Sequence, residues 1–206
     1  MSDIERSSKE LTVLNAARTV FLNHGFSAAT TDMIQRAAGV SKATMYACFP
    51  NKEALFVAVI EQQCAATTAT VQAIEISPGN LSRTLTNIGL AYLQIVLSPA
   101  GMALYRVVGA EAPRFPELGR RFFVTGTKGV ITMVARRLSE AAQAGEIDIQ
   151  AVGMDAAAAL FISMVRGEGQ MEMLMHPEAQ PSAAQMDSWV RLAVTTFMKA
   201  FGGEVT

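Results

Sequence analysis

Between Met33 and Lys52 the charged side chains are Arg36, Lys42 and Lys52, with no Asp or Glu among them. Thr44 and Tyr46 sit beside Lys42, and Thr30, Gln35 and Ala43 complete the stretch. Ammonium, guanidinium and hydroxyl donors suit phosphate oxygens, and such contacts set register without reading sequence. Reading base edges needs side chains that reach into a groove, for which Gln35, Arg36, Ala43 and Thr44 are the candidates. The positive character is local, because the whole chain of 206 residues has a formal net charge of -1 and acids outnumber bases after residue 60. Metal chemistry finds little support, since His24 and His176 stand far apart and each sits where a helix C-terminus favours imidazole. No HExxH, P-loop or GxSxG pattern occurs, so an enzyme is not expected. Glu168 and Glu172 lie one helical turn apart and read as a solvated face.

These donors must be held by short helices. Leu11, Leu14, Ala17, Phe21 and Leu22 recur at helical spacing between Ser7 and His24, and Gly25 closes that helix. Thr30 or Thr31 caps a second helix ending at Ala38, and Gly39 supplies the backbone freedom for a tight turn. Ser41 caps a third, from Lys42 to Cys48. Ile34, Ala38, Val40 and Phe49 are expected to pack this unit while Lys42, Thr44 and Tyr46 point outward. Lys52 opens a fourth helix with Leu55, Phe56, Val59 and Ile60 on one side. Two short helices joined by a glycine-containing turn can lay the second in the DNA major groove.

The segment VLNAARTVFLNHGFSAATTDMIQRAAGVSKATMYACFPNKEALFVAVIEQ resembles the DNA-binding domain of the TetR (AcrR-like) family over roughly residues 11 to 63. The resemblance implies that Thr30 caps the second helix near a phosphate, that Lys42, Thr44 and Tyr46 contact DNA, and that Lys52 contacts a backbone phosphate. It further implies repression of transcription, a palindromic double-stranded operator as partner, a homodimer and a small-molecule effector. An alternative is a helical ligand-binding or scaffold protein with weakened DNA binding, suggested by Ala47 and Cys48 just before Phe49.

The fold expected is all-α with about nine helices: a three-helix helix-turn-helix domain over 1–60 and a helical effector-binding and dimerisation domain over 61–206. After an SPGN turn at residues 77–80, Leu81, Leu85, Ile88, Tyr92 and Val96 form one stripe, which Ser98 and Pro99 end. Further helices are read over about 101–112, 115–144, 154–175 and 181–201. Tyr92, Met102, Tyr105, Arg106, Phe122, Phe123, Met133, Phe161 and Met164 are candidates to line an apolar effector pocket. Glu111, like Arg106, is a polar residue on a mostly apolar helix, suited to a ligand contact or a surface pair. Leu160, Met171, Leu174, Trp189, Ala193 and Phe197 are candidates for a four-helix bundle across a dimer axis, with Gly167 and Gly169 permitting close approach. No cofactor is expected. Cys48 and Cys64 read as free thiols, and the MSDIERSSKE start lacks a signal-peptide core, which together point to a cytoplasmic protein with no membrane partner.

Overall fold

Helix caps can be read directly along this chain, and they delimit most of its elements. The computed structural model describes residues 3–74, 77 and 79–203, with the side chains of residues 3–7 excepted; Pro78 of the expected SPGN turn lies outside this range. The helices are α1 (Asp3–Ala28), α2 (Thr31–Ala38), α3 (Lys42–Cys48), α4 (Lys52–Gln72), α5 (Leu81–Val96), α6 (Pro99–Glu111), α7 (Pro116–Phe122), α8 (Gly129–Gln143), α9 (Met154–Met175) and α10 (Ala183–Phe201). A π-helical stretch, Phe123–Lys128, joins α7 to α8 without a break, so the described residues form nine rods. The only β pairing among them is a single antiparallel bridge between Ile147 and Gly202.

Each boundary has a local cause. The helical path of α1 breaks at Gly25 (φ 74°, ψ 169°). Thr30 caps α2 by accepting a hydrogen bond from the Met33 N–H at 3.2 Å. Gly39 ends it in the left-handed region at φ 64°, where its N–H reaches back to the Arg36 carbonyl. Asn51 caps α4 through Oδ1, which accepts from the Ala54 N–H at 2.7 Å. Ser98 does more than end α5: its hydroxyl accepts from the Gly101 N–H, with Pro99 at the first position of α6. That position suits proline, whose missing N–H has no helical acceptor there. The last helix starts at Ala183 rather than Pro181, because Ser182 and Gln185 form a reciprocal capping box.

The chain divides into two compact units, Met1–Ala65 with Ala103–Thr125, and Ala66–Met102 with Gly126–Thr206. The first therefore takes in residues 103–125 as well as the helices before the sequence-based boundary at 60/61. Its core gathers Val13, Ala17, Phe21, Phe26, Ile34, Met45, Leu55, Phe56, Val59 and Ile60, joined by Leu104, Val108 and Leu118. Phe26 is its centre, with ring centroids of Phe56 and Phe115 each 5.0 Å away. By length and composition α4 is apolar enough to cross a bilayer, but it commits Leu55, Phe56, Val59 and Ile60 to this core. The core of the second unit is built on Leu85, Ile88, Tyr92, Val134, Leu138, Phe161, Ile162, Val190 and Phe197. In it Gly169 lets α10 approach α9 closely: a Cβ there would lie 2.6 Å from Trp189 Cζ3.

Candidate nucleic-acid interface and effector region

The helix pair α2 and α3 is anchored from beneath by two side chains, Ile34 and Met45, both buried. Ala38, Val40 and Phe49 pack partly buried around them. Met45 escaped the sequence reading, although with Ile34 it belongs to the core of the first unit and sets the inward side of α3. With that face committed inward, Lys42, Ala43, Tyr46 and Ala47 of α3 are exposed, and Thr44 and Cys48 are half-buried. Ser41 caps α3, accepting from the Thr44 N–H at 3.1 Å, and its hydroxyl meets that of Thr44 at 2.9 Å. The hydroxyl of Tyr46 donates to Thr31 Oγ1 at 3.5 Å, which ties the tip of α3 to the start of α2.

Thr30, the cap of α2, and Arg36 within it are exposed, and the Arg36 Nε donates to the Asp32 carbonyl at 3.1 Å. Asp32 adds an acid that the sequence window from residue 33 left out. Its carboxylate lies 3.8 Å from Lys42 Nζ, so the positive character of this face rests on Arg36 and a partly paired Lys42. Gln35 departs from expectation: it is half-buried, its Oε1 is fully buried, and no partner for that atom lies among the described residues. The acceptor oxygen of this amide is thus withdrawn from a base edge.

Lys52 is a second correction. Its ammonium donates to the carbonyl oxygens of Phe26 (2.9 Å), Ala29 (3.0 Å) and Ser27 (3.4 Å) and stands over the Phe26 ring, 4.5 Å from its centroid. An ammonium has three protons, and all three are directed at the end of α1 rather than at a phosphate. Glu111, which the sequence offered as a ligand contact, instead accepts from the Ser27 N–H at 2.9 Å and from its hydroxyl at 2.8 Å.

Comparison with known proteins bears on what this surface is. Residues 13–59 match the bacterial regulatory proteins of the tetR family, and residues 83–203 match the C-terminal domain of AefR-like transcriptional repressors. The chain belongs to the TetR family of bacterial transcriptional regulators. Among solved structures, the flavonoid-responsive regulator FrrA is 33% identical, with a TM-score of 0.81 over 97% of this chain and 100% of that one. A TetR-family regulator from Mesorhizobium loti shares the fold at a TM-score of 0.88, with 20% identity over 98% of this chain and 100% of that chain. The regulator RutR of Escherichia coli K12 is 41% identical over 56 residues, 27% of this chain; the match spans about a quarter (26%) of that protein's length.

In this TetR-family chain the residues expected to line an effector pocket are not all together. Tyr92, Met102, Met133 and Phe161 are buried in the core of the second unit. Tyr105 and Phe122 belong to the first, half-buried and edge-to-face at 6.1 Å between centroids, with Arg106 half-buried beside Tyr105 in sequence. Phe123 is withdrawn from the set. It begins the π-helical stretch and is 55% exposed, one residue and so about 100° round the helix from the half-buried Phe122. Met164 lines a groove of about 260 Å³ with Glu168, Trp189, Leu192 and Thr196, on the face where dimerisation was expected.

The expected dimerisation residues also divide. Leu160 and Met171 are exposed, while Leu174 and Trp189 are half-buried. Ala193 and Phe197 are corrections: both are buried inside the chain's own core, with Phe197 wedged between Phe161 and Phe201 at 5.5 and 4.8 Å. Residues already enclosed by their own chain offer no surface to another. Two that the sequence reading missed, Met175 and Leu192, are 66% and 67% exposed. Leu192 was legible as the residue between two inward-facing turns of α10, had the stripe been split into its two edges.

Proposed function

We propose that this TetR-family DNA-binding regulator acts as a homodimeric repressor in the cytoplasm, laying α3 of each copy in successive major grooves of a palindromic operator and leaving it when a small apolar or aromatic effector binds. The observation that carries the reading is the outward face of α3, where Lys42, Ala43, Thr44 and Tyr46 project from a helix fixed by buried Ile34 and Met45. Thr30 and Arg36 flank it from α2. Lys42 and Tyr46 suit phosphate oxygens, and Ala43 and Thr44 suit thymine methyls and base edges.

Dimer formation is supported by the exposed apolar residues of α9 and α10, namely Leu160, Met171, Met175 and Leu192. Water-exposed side chains of that size on neighbouring helices are characteristic of an interface. A two-fold dimer presents its recognition helices about 34–36 Å apart, one turn of B-DNA. Repression follows the description of the C-terminal family, and an aromatic effector follows the flavonoid response in the name of FrrA. An effector acts only through different affinities for the operator-bound and free conformations. The helix α4, which begins in the first unit and ends in the second, is the element through which we expect that difference to pass.

Selection of bound duplexes from a random pool, followed by titration at several salt concentrations with and without a flavonoid such as naringenin, tests the reading. A palindromic consensus, steep salt dependence and weaker binding with effector are expected. A helical ligand-binding protein with weakened DNA affinity is the second reading, favoured by the inward Lys52 and the Asp32 carboxylate near Lys42; a chain that binds no duplex with salt dependence would establish it instead.

A further inference from the structure

The buried face of α9 is apolar except at one residue. Ala157, Ala158, Phe161, Ile162, Val165, Gly169 and Met173 share it with Gln170, which is 7% exposed. The Gln170 Nε2 is fully buried, and no acceptor for it lies among the described residues. An amide N–H held away from water with no acceptor is costly, and natural cores rarely keep one without a use.

One turn earlier on the same side of α9 lies Arg166, also part-buried. Among the described residues no carboxylate pairs with its guanidinium; its Nη1 donates only to Thr127 Oγ1, at 3.5 Å, the outer limit of a hydrogen bond. The acids of this helix, Asp155, Glu168 and Glu172, are exposed. Two adjacent donor groups, one cationic, thus stand at the edge of an apolar core without an anion between them.

We propose that Arg166 and Gln170 form the polar end of the effector site and that the effector is an amphiphile carrying a carboxylate on an apolar or aromatic body. This deepens the effector-released reading above and rests on it. A carboxylate matches the fork of a guanidinium and has lone pairs left for the Gln170 amide. The apolar remainder of the ligand then lies against the hydrophobic side chains of the same unit. The weak Thr127 contact is given up without loss, because the carboxylate is a better acceptor than a distant hydroxyl.

The test uses the full-length chain and matched probes, 4-phenylbutyrate and decanoate against their methyl esters, with affinity read by calorimetry and by thermal shift. Carboxylates are expected to bind at least about tenfold more tightly than the esters, and Arg166→Met and Gln170→Leu each to abolish that preference. Gln170→Leu carries a second readout that separates ligand recognition from a structural role: by removing an unsatisfied amide it leaves the ligand-free melting temperature unchanged or raised, whereas loss of a structural hydrogen bond would lower it. Equal affinity for acid and ester, full carboxylate affinity in either variant, or no binding of either acid at millimolar concentration overturns the proposal. Operator binding without ligand is measured in parallel; if it persists while the preference is absent, the carboxylate site fails and the regulator reading stands, and the reverse result separates them the other way.

Discussion

The ammonium of Lys52 and the ring of Phe26 are 4.5 Å apart, and the same nitrogen donates to the Phe26 carbonyl at 2.9 Å. One side chain at the start of α4 therefore closes the end of α1, satisfying carbonyls that its kinked last turn leaves without helical donors. Lys52→Ala is expected to cost about 2–3 kcal/mol in urea unfolding, the range for losing charge-assisted hydrogen bonds from a part-buried site. Unaltered stability together with a salt slope for DNA binding reduced by about one would return Lys52 to the phosphate role.

Lys42 and Asp32 face the same solvent region at 3.8 Å, both well exposed. Such a pair contributes little stability, so its removal is legible in DNA binding alone. Lys42→Ala should weaken binding to all duplexes alike and lower the salt slope by about one phosphate contact. Asp32→Asn should strengthen binding, because a carboxylate beside the duplex repels it. Opposite signs for the two variants are the decisive outcome, read by fluorescence anisotropy.

Leu192 is 67% exposed, so a charge there leaves the folded single chain undisturbed. Leu192→Glu is expected to give monomers in light scattering at micromolar concentration, with operator affinity lost in parallel and an unchanged circular dichroism spectrum. A dimer that persists through this change would move the interface away from α10.

Two glycines of α9 should respond in opposite directions. A Cβ at Gly169 would meet the Trp189 ring at 2.6 Å, and Gly169→Ala is expected to destabilise by about 1–3 kcal/mol through overpacking. Nothing lies within 4 Å of a Cβ at Gly167, where alanine gains helix propensity of up to about 1 kcal/mol. Thermal melts in the Leu192→Glu background, free of any interface, compare the two.

Burial holds the Cys64 thiol above its ordinary pKa; the Thr125 hydroxyl opposes this and the nearby Glu61 carboxylate adds to it. A folded state that disfavours the thiolate binds more protons than the unfolded chain at alkaline pH, so its contribution to stability is intact below the unfolded thiol pKa and declines as pH rises above it. A disulfide reagent at neutral pH should modify the half-buried Cys48 well before Cys64, which becomes reactive only on unfolding. Equal rates in the native chain would contradict the burial of Cys64.

Short-range chemistry was readable from residues alone. Thr30, Gly39 and Ser41 announce the turn between α2 and α3 because a cap or a left-handed glycine acts within four positions of itself. The helical periods likewise located the nine rods, and the donors on α3 stood out because Ile34, Ala38, Val40 and Phe49 read as the packed side of the helix pair. Tertiary packing alone decided the rest. A stripe such as Trp189, Ala193 and Phe197 is compatible with an interface or a core, and only contact with Phe161 and Phe201 assigns Phe197 inward and leaves Leu192 to solvent. The π turn that begins at Phe123 shifts helical phase without any marker in the periodicity, and Lys52 could reach phosphate or the carbonyls around the end of α1 until the fold set those of Phe26 and Ala29 at 2.9 and 3.0 Å from its ammonium. Spacing along a chain records which side chains share a face; what that face meets is set by residues far away in sequence.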